Sequence, residues 1–256
     1  MDYEGFKVKV LEMTSIDLSC YKERQMKRRI ESLITRCKCE GYQDFVERLK
    51  NDKQAFEDFV AYLTINVSEF YRNPEQWEYL DKVIIPNLIK RFGKNLKIWS
   101  AACSTGDEPY SLVMALSKHI PLANIKITAT DIDKQIIQKA MVGLYSDKSI
   151  ESVPSEFKAK YFDKVGNSFK IKDEIKNCVT FSQHNLLKDN YGSEYNLIVC
   201  RNVLIYFTEE AKHDIFVKFN RSLAKDGYLF IGSTEQIIDY GDIGYSRSNS
   251  FFYQKK

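Results

Sequence analysis

Apolar residues recur at helical spacing through the first quarter of the chain: Met26, Ile30, Leu33 and Ile34, then Phe45, Val46 and Leu49, then Phe56, Phe59, Val60 and Leu63. Positions three and four apart share one face of a helix, so this stretch predicts a small set of amphipathic helices up to about residue 65, interrupted at Gly41. The pattern changes at Leu96. Residues 96–100 form a short apolar run, followed by the small residues of 101–107 and by a helix predicted from near Glu108-Pro109 through Leu112, Met114, Ala115 and Leu116. A second run, 125–130, ends in Asp131-Ile132-Asp133 and leads into a helical stretch from Ile136 to Val142; further strand-like runs lie at 195–200 and 227–232. Strands alternating with helices predict a parallel sheet covered on both faces. Gly166-Asn167 between apolar positions predicts an inserted hairpin. The tail, 250–254, reads as a last edge strand. The expected fold class is α/β: a helical domain with its linker over residues 1–74, then a Rossmann-like domain over 75–256 carrying a small inserted β-subdomain at about 145–180.

Composition narrows this picture. With 256 residues, 44% apolar and 29% charged, and only 11 Gly and 5 Pro, the chain can bury a core and is not a disordered or collagenous sequence. No run approaches the ~18 apolar residues of a membrane span, and residues 1–5 do not resemble a secretory signal. The only close Cys pair among the six is Cys37 and Cys39, and His119, His184 and His213 are far apart, so no zinc spacing is present. The expectation is a cytoplasmic, reduced, metal-free protein with no direct membrane insertion. Net charge is only +3, but residues 21–38 hold Lys22, Arg24, Lys27, Arg28, Arg29, Arg36 and Lys38 against Glu23 and Glu31. The cationic excess is concentrated on one predicted helix. A solvated face is the ordinary reading of such a run.

In an open α/β sheet, ligands sit beyond the carboxyl ends of the strands, near the point where strand order reverses. The loop after the first predicted strand has one glycine and small residues, so a ligand can come close to backbone there, but it lacks the G-x-G-x-x-G of a dinucleotide site. Asp107 and Glu108 would repel phosphate at that helix N-terminus and suit a cation instead. Asp131, at the end of the next strand, is placed to accept from ribose hydroxyls. A positively charged nucleoside without pyrophosphate is S-adenosylmethionine. The plainer reading makes Glu108 a helix cap and Asp131 the start of the next helix. Their coincidence on consecutive strand ends favours the ligand.

Five ordered motifs then carry a family resemblance. Residues 66–72 read Asn-Val-Ser-Glu-Phe-Tyr-Arg, similar to N-x-T-x-F-F-R, and residues 99–111 are close to W-S-A-x-x-S-T-G-E-E-P-Y-S. They are followed by Ala129-Thr130-Asp131-Ile132-Asp133, by His184-Asn185-Leu186 and by the run from Cys200 through Arg201 and Asn202 to Phe207. The chain resembles the CheR-type chemotaxis protein methyltransferases, which methylate glutamate side chains of chemoreceptors. Departures are small: Ser68 stands for Thr, Tyr71 for Phe and Asp107 for Glu. Segment 145–180 lacks the extra glycine-bearing loop by which some members bind a receptor's C-terminal pentapeptide, so tethered binding is not implied.

The resemblance implies cofactor contacts from Asn66, Ser68, Arg72, Glu108, Asp131, Asn185, Leu186, Asn202 and Val203, with S-adenosyl-L-homocysteine as the product. It puts Arg201 and Tyr206 near the transferred methyl group, with no metal. Core packing beside Ile205 and Phe207 is nearly as good a reading of Tyr206. The implied partner is the set of methylation helices in a receptor's cytoplasmic part, met by the basic helix at 22–38 and not by nucleic acid. Two rivals stand beside this reading: a nucleic-acid methyltransferase, which would carry a Pro-Pro-aromatic motif where this chain has Arg201-Asn202-Val203-Leu204, and a non-catalytic S-adenosylmethionine-binding adaptor.

Overall fold

The computed structural model describes residues 1–256, which divide into two compact units: Met1–Ile65 with Ile205–Asp214, and Asn66–Leu204 with Ile215–Lys256. No helix is long and apolar enough to cross a membrane.

The first unit holds helices α1 (Tyr3–Thr14), α2 (Glu23–Arg36), α3 (Tyr42–Asn51) and α4 (Lys53–Thr64). Local chemistry sets their ends. Asp2 and Asp52 accept from the backbone N–H of Gly5 and Ala55, satisfying first-turn donors of α1 and α4. Gly41 is the N-cap of α3, with extended φ, while α2 has already ended at Arg36. The core is aromatic: Phe6, Phe45 and Phe59 are fully buried, and Phe45 meets Phe59 edge-on at 5.5 Å. Helix α2 buries Met26, Ile30, Leu33 and Ile34, the face its periodicity predicts. Residues 205–214 join this unit through an antiparallel bridge between Tyr21 and Phe207, whose rings lie 4.7 Å apart.

In the second unit, α5 (Pro74–Tyr79) and α6 (Ile85–Phe92) are joined through one π-helical turn and precede the sheet. The strands and remaining helices follow in the order β1 (Lys97–Ala101), α7 (Asp107–Leu116), β2 (Lys126–Asp131) and α8 (Lys134–Val142). Next come β3 (Leu144–Ser146), α9 (Ser155–Tyr161), β4 (Phe162–Val165), β5 (Ser168–Ile171), α10 (Asp173–Lys176), β6 (Val179–Gln183) and β7 (Tyr195–Cys200). Last are α11 (Glu209–Ser222), shared between the units, then β8 (Leu223–Ile231), α12 (Tyr240–Ile243), β9 (Tyr245–Arg247) and β10 (Phe252–Lys255).

Seven strands make one sheet in the order β6-β2-β1-β7-β8-β10-β9, parallel except for β10, which runs against both its neighbours. All six residues of β7 are buried, as expected for a central strand covered on both faces. The tail strand is therefore not the edge that its sequence suggests. The short β9, with its unremarkable Tyr-Ser-Arg sequence, pairs outside β10 and takes the edge, while Phe252 stacks on Phe230 of β8 at 4.2 Å. A second, three-stranded sheet, β3-β5-β4, is the inserted β-subdomain, with Gly166 at φ +60° in the β4–β5 turn.

Candidate cofactor site

The chain leaves β1 for β2 and β6 on one side, then returns to β7 and β8 on the other, so strand order reverses between β1 and β7. In open α/β sheets such a switch point is where the loops after the strands leave room for a ligand. Both loops have uncommon backbone. Ala102, Ser104 and Gly106 follow β1 with φ of 62°, 49° and 87°, and Asn202 follows β7 with φ 62°. Gly106 suits its place for two reasons: its φ is positive, and a Cβ would come within 2.9 Å of the Tyr110 ring and 3.0 Å of Ala140. Left-handed residues cost free energy and persist where surrounding bonds fix them. Here Cys103 donates its N–H to Thr130 O at 2.9 Å, and Ser104 donates to Asp131 Oδ2 at 2.9 Å.

Asp131 ends β2, buried, with its Oδ1 also accepting from Asp133 N at 3.0 Å. Asp133 caps α8 through the N–H groups of Gln135 and Ile136, and its Oδ2 accepts from the Asn66 amide at 2.8 Å. The turn after β6 is tied to the same place, because His184 donates its N–H to Asp131 O at 2.9 Å. Within that turn Asn185 and Leu186 are buried, and Asn185 Oδ1 accepts from Leu187 N. Ser68 and Thr105 both hydrogen-bond the buried carboxylate of Asp107, and Asn66, Ser68 and Asp107 line one cavity of about 730 Å³ with Lys139 and Tyr145.

The other side of the crevice is built on Glu108 and Arg201. Glu108 accepts from the Ser100 hydroxyl at 2.8 Å, and removal from water pushes its carboxyl up to about 7 against the pull of Arg201 and Arg72. Arg201 lies 4.7 Å from the Phe230 ring centre and 5.7 Å from that of Trp77. Its Nη2 donates to Arg72 O at 2.7 Å, to Gln76 Oε1 at 2.8 Å and to Asn73 Oδ1 at 3.2 Å. This arginine holds the turn from Arg72 to Gln76, with Asn73 in the left-handed region.

Burial likewise raises the carboxyls of Asp107, Asp131 and Glu235. Four buried or half-buried carboxyls, answered by Arg72 and Arg201, make a site that gains from a cationic ligand. Two buried oxygens there, Ser104 Oγ and Asn202 Oδ1, have no hydrogen-bond partner. Acceptors without donors, beside an acid-rich loop, fit a ligand carrying an ammonium group, a sulfonium and ribose hydroxyls. S-adenosylmethionine has all three.

The sequence-derived contacts Asn66, Ser68, Arg72, Glu108, Asp131, Asn185, Leu186, Asn202 and Val203 all belong to the sheet-containing unit. Tyr206 belongs to the other, half-buried, its carbonyl accepting from Lys22 N at 2.9 Å. Four participants escaped the sequence reading: Ser100, Ser104, Gln76 and Glu235. Ser100 and Ser104 stand at serine positions of the 99–111 motif, and Glu235 lies three residues beyond the glycine that closes a strand-like run, whereas Gln76 had no signal.

Residues 1–64 match the family model for the CheR methyltransferase all-alpha domain, and residues 66–248 match that for the CheR methyltransferase SAM binding domain. A chemotaxis protein methyltransferase of Listeria innocua is 41% identical over 254 residues, covering 99% of this chain and 97% of the relative. Chemotaxis protein methyltransferase 1 of Pseudomonas aeruginosa is 32% identical over 253 residues, covering 94% and 92%. With both domains matched and an acid-rich crevice suited to a cationic nucleoside, the chain belongs to the CheR methyltransferase family and is an S-adenosylmethionine-dependent methyltransferase.

Proposed function

We propose that the chain is a protein-glutamate O-methyltransferase that esterifies glutamate side chains on the cytoplasmic methylation helices of chemoreceptors. The observation that carries this reading is the likeness to chemotaxis protein methyltransferases through both domains. The rival nucleic-acid reading has no support in residues 201–207, which hold no proline.

The cofactor supplies an activated methyl group on a sulfonium. A glutamate carboxylate is already ionised and nucleophilic at neutral pH, so no protein base is required. Transfer would join one carboxylate oxygen to that methyl carbon with loss of its carbon–sulfur bond, the sulfonium leaving as a neutral thioether. The protein's work is alignment, an effect worth ~7–11 kcal/mol in well-oriented systems. In this reading Asp131 receives the ribose hydroxyls, Glu108 opposes the cationic end, and the Arg72 guanidinium pairs with the methionyl carboxylate. Asn66 and Ser68 bound the same ligand, as do Asn185, Leu186, Asn202 and Val203. Arg201 acts as a positioning residue, because its Nη2 is committed to the turn that carries Arg72. The Tyr206 hydroxyl orients the glutamate or the methyl group.

Lys22, Arg24, Gln25, Arg28 and Arg29 line a groove on the basic helix, the surface proposed to meet acidic receptor helices. The test is transfer of labelled methyl from S-adenosylmethionine to a receptor cytoplasmic fragment. Label is expected on the wild-type fragment and lost when its methylation-site glutamates are replaced by alanine. Equal labelling of both fragments would overturn the glutamate assignment.

A further inference from the structure

Glu235 lies just past β8, outside every residue assigned a contact above, and is only 2% exposed. Its carboxylate has no cation hydrogen-bonded to it and is bound instead to main-chain amides. Oε2 accepts from Asn202 N at 2.7 Å and from Gly232 N at 2.8 Å, while Oε1 accepts from Leu204 N at 2.6 Å. The loop after β7 is thereby fastened to the end of β8 by one side chain. The loop needs the fastening, because Asn202 sits at φ 62° and its Oδ1 is buried without a partner. Gly232 completes the device: a Cβ there would stand 2.6 Å from Glu235 Oε2 and 2.8 Å from Asn202 N.

We infer that Glu235 is a positioning residue for the cofactor, a buried carboxylate that fixes the backbone of Asn202 and Leu204 so that the Asn202 side chain faces the ligand in one conformation. The inference rests on the proposed cofactor contact by Asn202. Glutamine at 235 has one acceptor oxygen and one amide group, so at least one of the three N–H donors loses its partner and faces another donor. Alanine at 232 attacks the same contact from the other side and leaves every titratable group in place.

The test measures S-adenosylhomocysteine binding by calorimetry, unfolding temperature with and without that ligand, and methyl transfer for wild type, Glu235→Gln and Gly232→Ala. Loss of one charged hydrogen bond predicts ~10-fold or greater weakening of the dissociation constant in each variant. Because the affected contact is made equally before and during reaction, KM for S-adenosylmethionine rises in parallel while kcat at saturation stays within ~3-fold. The double variant loses less than the product of the single losses, since both break one contact. The ligand-induced rise in unfolding temperature shrinks in both variants, a readout that a purely structural glutamate would leave intact. Folded variants that bind as wild type does would overturn the inference alone. Wild type that fails to bind the probe would overturn the cofactor assignment, and this inference with it.

Discussion

The Ser100 hydroxyl donates to Glu108 Oε1 at 2.8 Å, joining the carboxyl end of strand β1 to the first turn of α7. That bond, with Arg201 and Arg72 nearby, favours the ionised carboxylate, but desolvation is larger and leaves the group titrating at about 7. A cationic ligand favours the ionised form further, so binding releases a proton from the fraction that is protonated. The sign follows. Affinity for S-adenosylmethionine rises with pH, by ~10-fold from pH 6 to pH 8 if the bound carboxyl titrates well below 6. Calorimetry in buffers of different ionisation enthalpy measures both affinity and proton release. Glu108→Gln should bind more weakly at pH 8 and lose this component of the pH dependence. A glutamine variant with the wild-type profile would remove Glu108 from the cationic end of the ligand.

The basic helix is not uniformly available to a partner. Arg29 donates through Nη2 to Tyr62 O at 2.8 Å and lies 4.6 Å from the Tyr62 ring centre, so it helps hold α2 against the end of α4. Arg24 and Arg28 are exposed. Reversal of Arg24 and Arg28 to Glu should therefore cut receptor methylation severalfold, most strongly at low salt, with cofactor binding and stability unchanged. Arg29→Ala should instead lower stability by about 1–2 kcal/mol in urea titration. Equal loss of methylation at high and low salt would argue against electrostatic docking on this face.

Arg201→Lys is not conservative at its position. A lysine keeps the charge but cannot serve the Arg72, Asn73 and Gln76 oxygens from one planar group lying over Phe230 and Trp77. The loss should be about 2–4 kcal/mol in urea unfolding, with cofactor affinity reduced through the displaced Arg72. A stable lysine variant with normal affinity and a collapsed kcat would return Arg201 to the reacting atoms.

The Tyr206 hydroxyl can be tested without disturbing its backbone bond to Lys22. Tyr206→Phe should lower kcat for receptor methylation by ~10-fold or more if the hydroxyl orients the reacting groups, with cofactor affinity unchanged. Unchanged turnover would leave Tyr206 a packing residue beside Phe207.

Much of this site is legible in the sequence because the sheet fixes where strand ends fall. Asp131 and Glu108 are readable as ligand groups once the runs before them are recognised as strands, and apolar runs of that kind are the stronger signal in a chain. The helical face of α2 is legible for the same reason. What the sequence hides is decided by tertiary contact. Asp107 looks like a free acidic residue repelling phosphate, yet it is buried and taken up by Thr105 and Ser68. The Nη2 partners of Arg201 lie more than a hundred residues earlier in the chain, out of reach of any local pattern. The tail strand looks like an edge because the strand that covers it, Tyr245–Arg247, is three residues long and carries no periodic pattern.

The central claim is that the acceptor is a glutamate carboxylate, and the bond formed distinguishes it from every rival. A receptor cytoplasmic fragment labelled with radioactive methyl from S-adenosylmethionine should be treated with alkali and the volatile fraction counted. Glutamate methyl esters hydrolyse in base, so the label is expected to leave the protein as methanol. Label that survives alkali on the fragment would mean methyl on nitrogen, sulfur or an ether oxygen, and would contradict the carboxylate assignment.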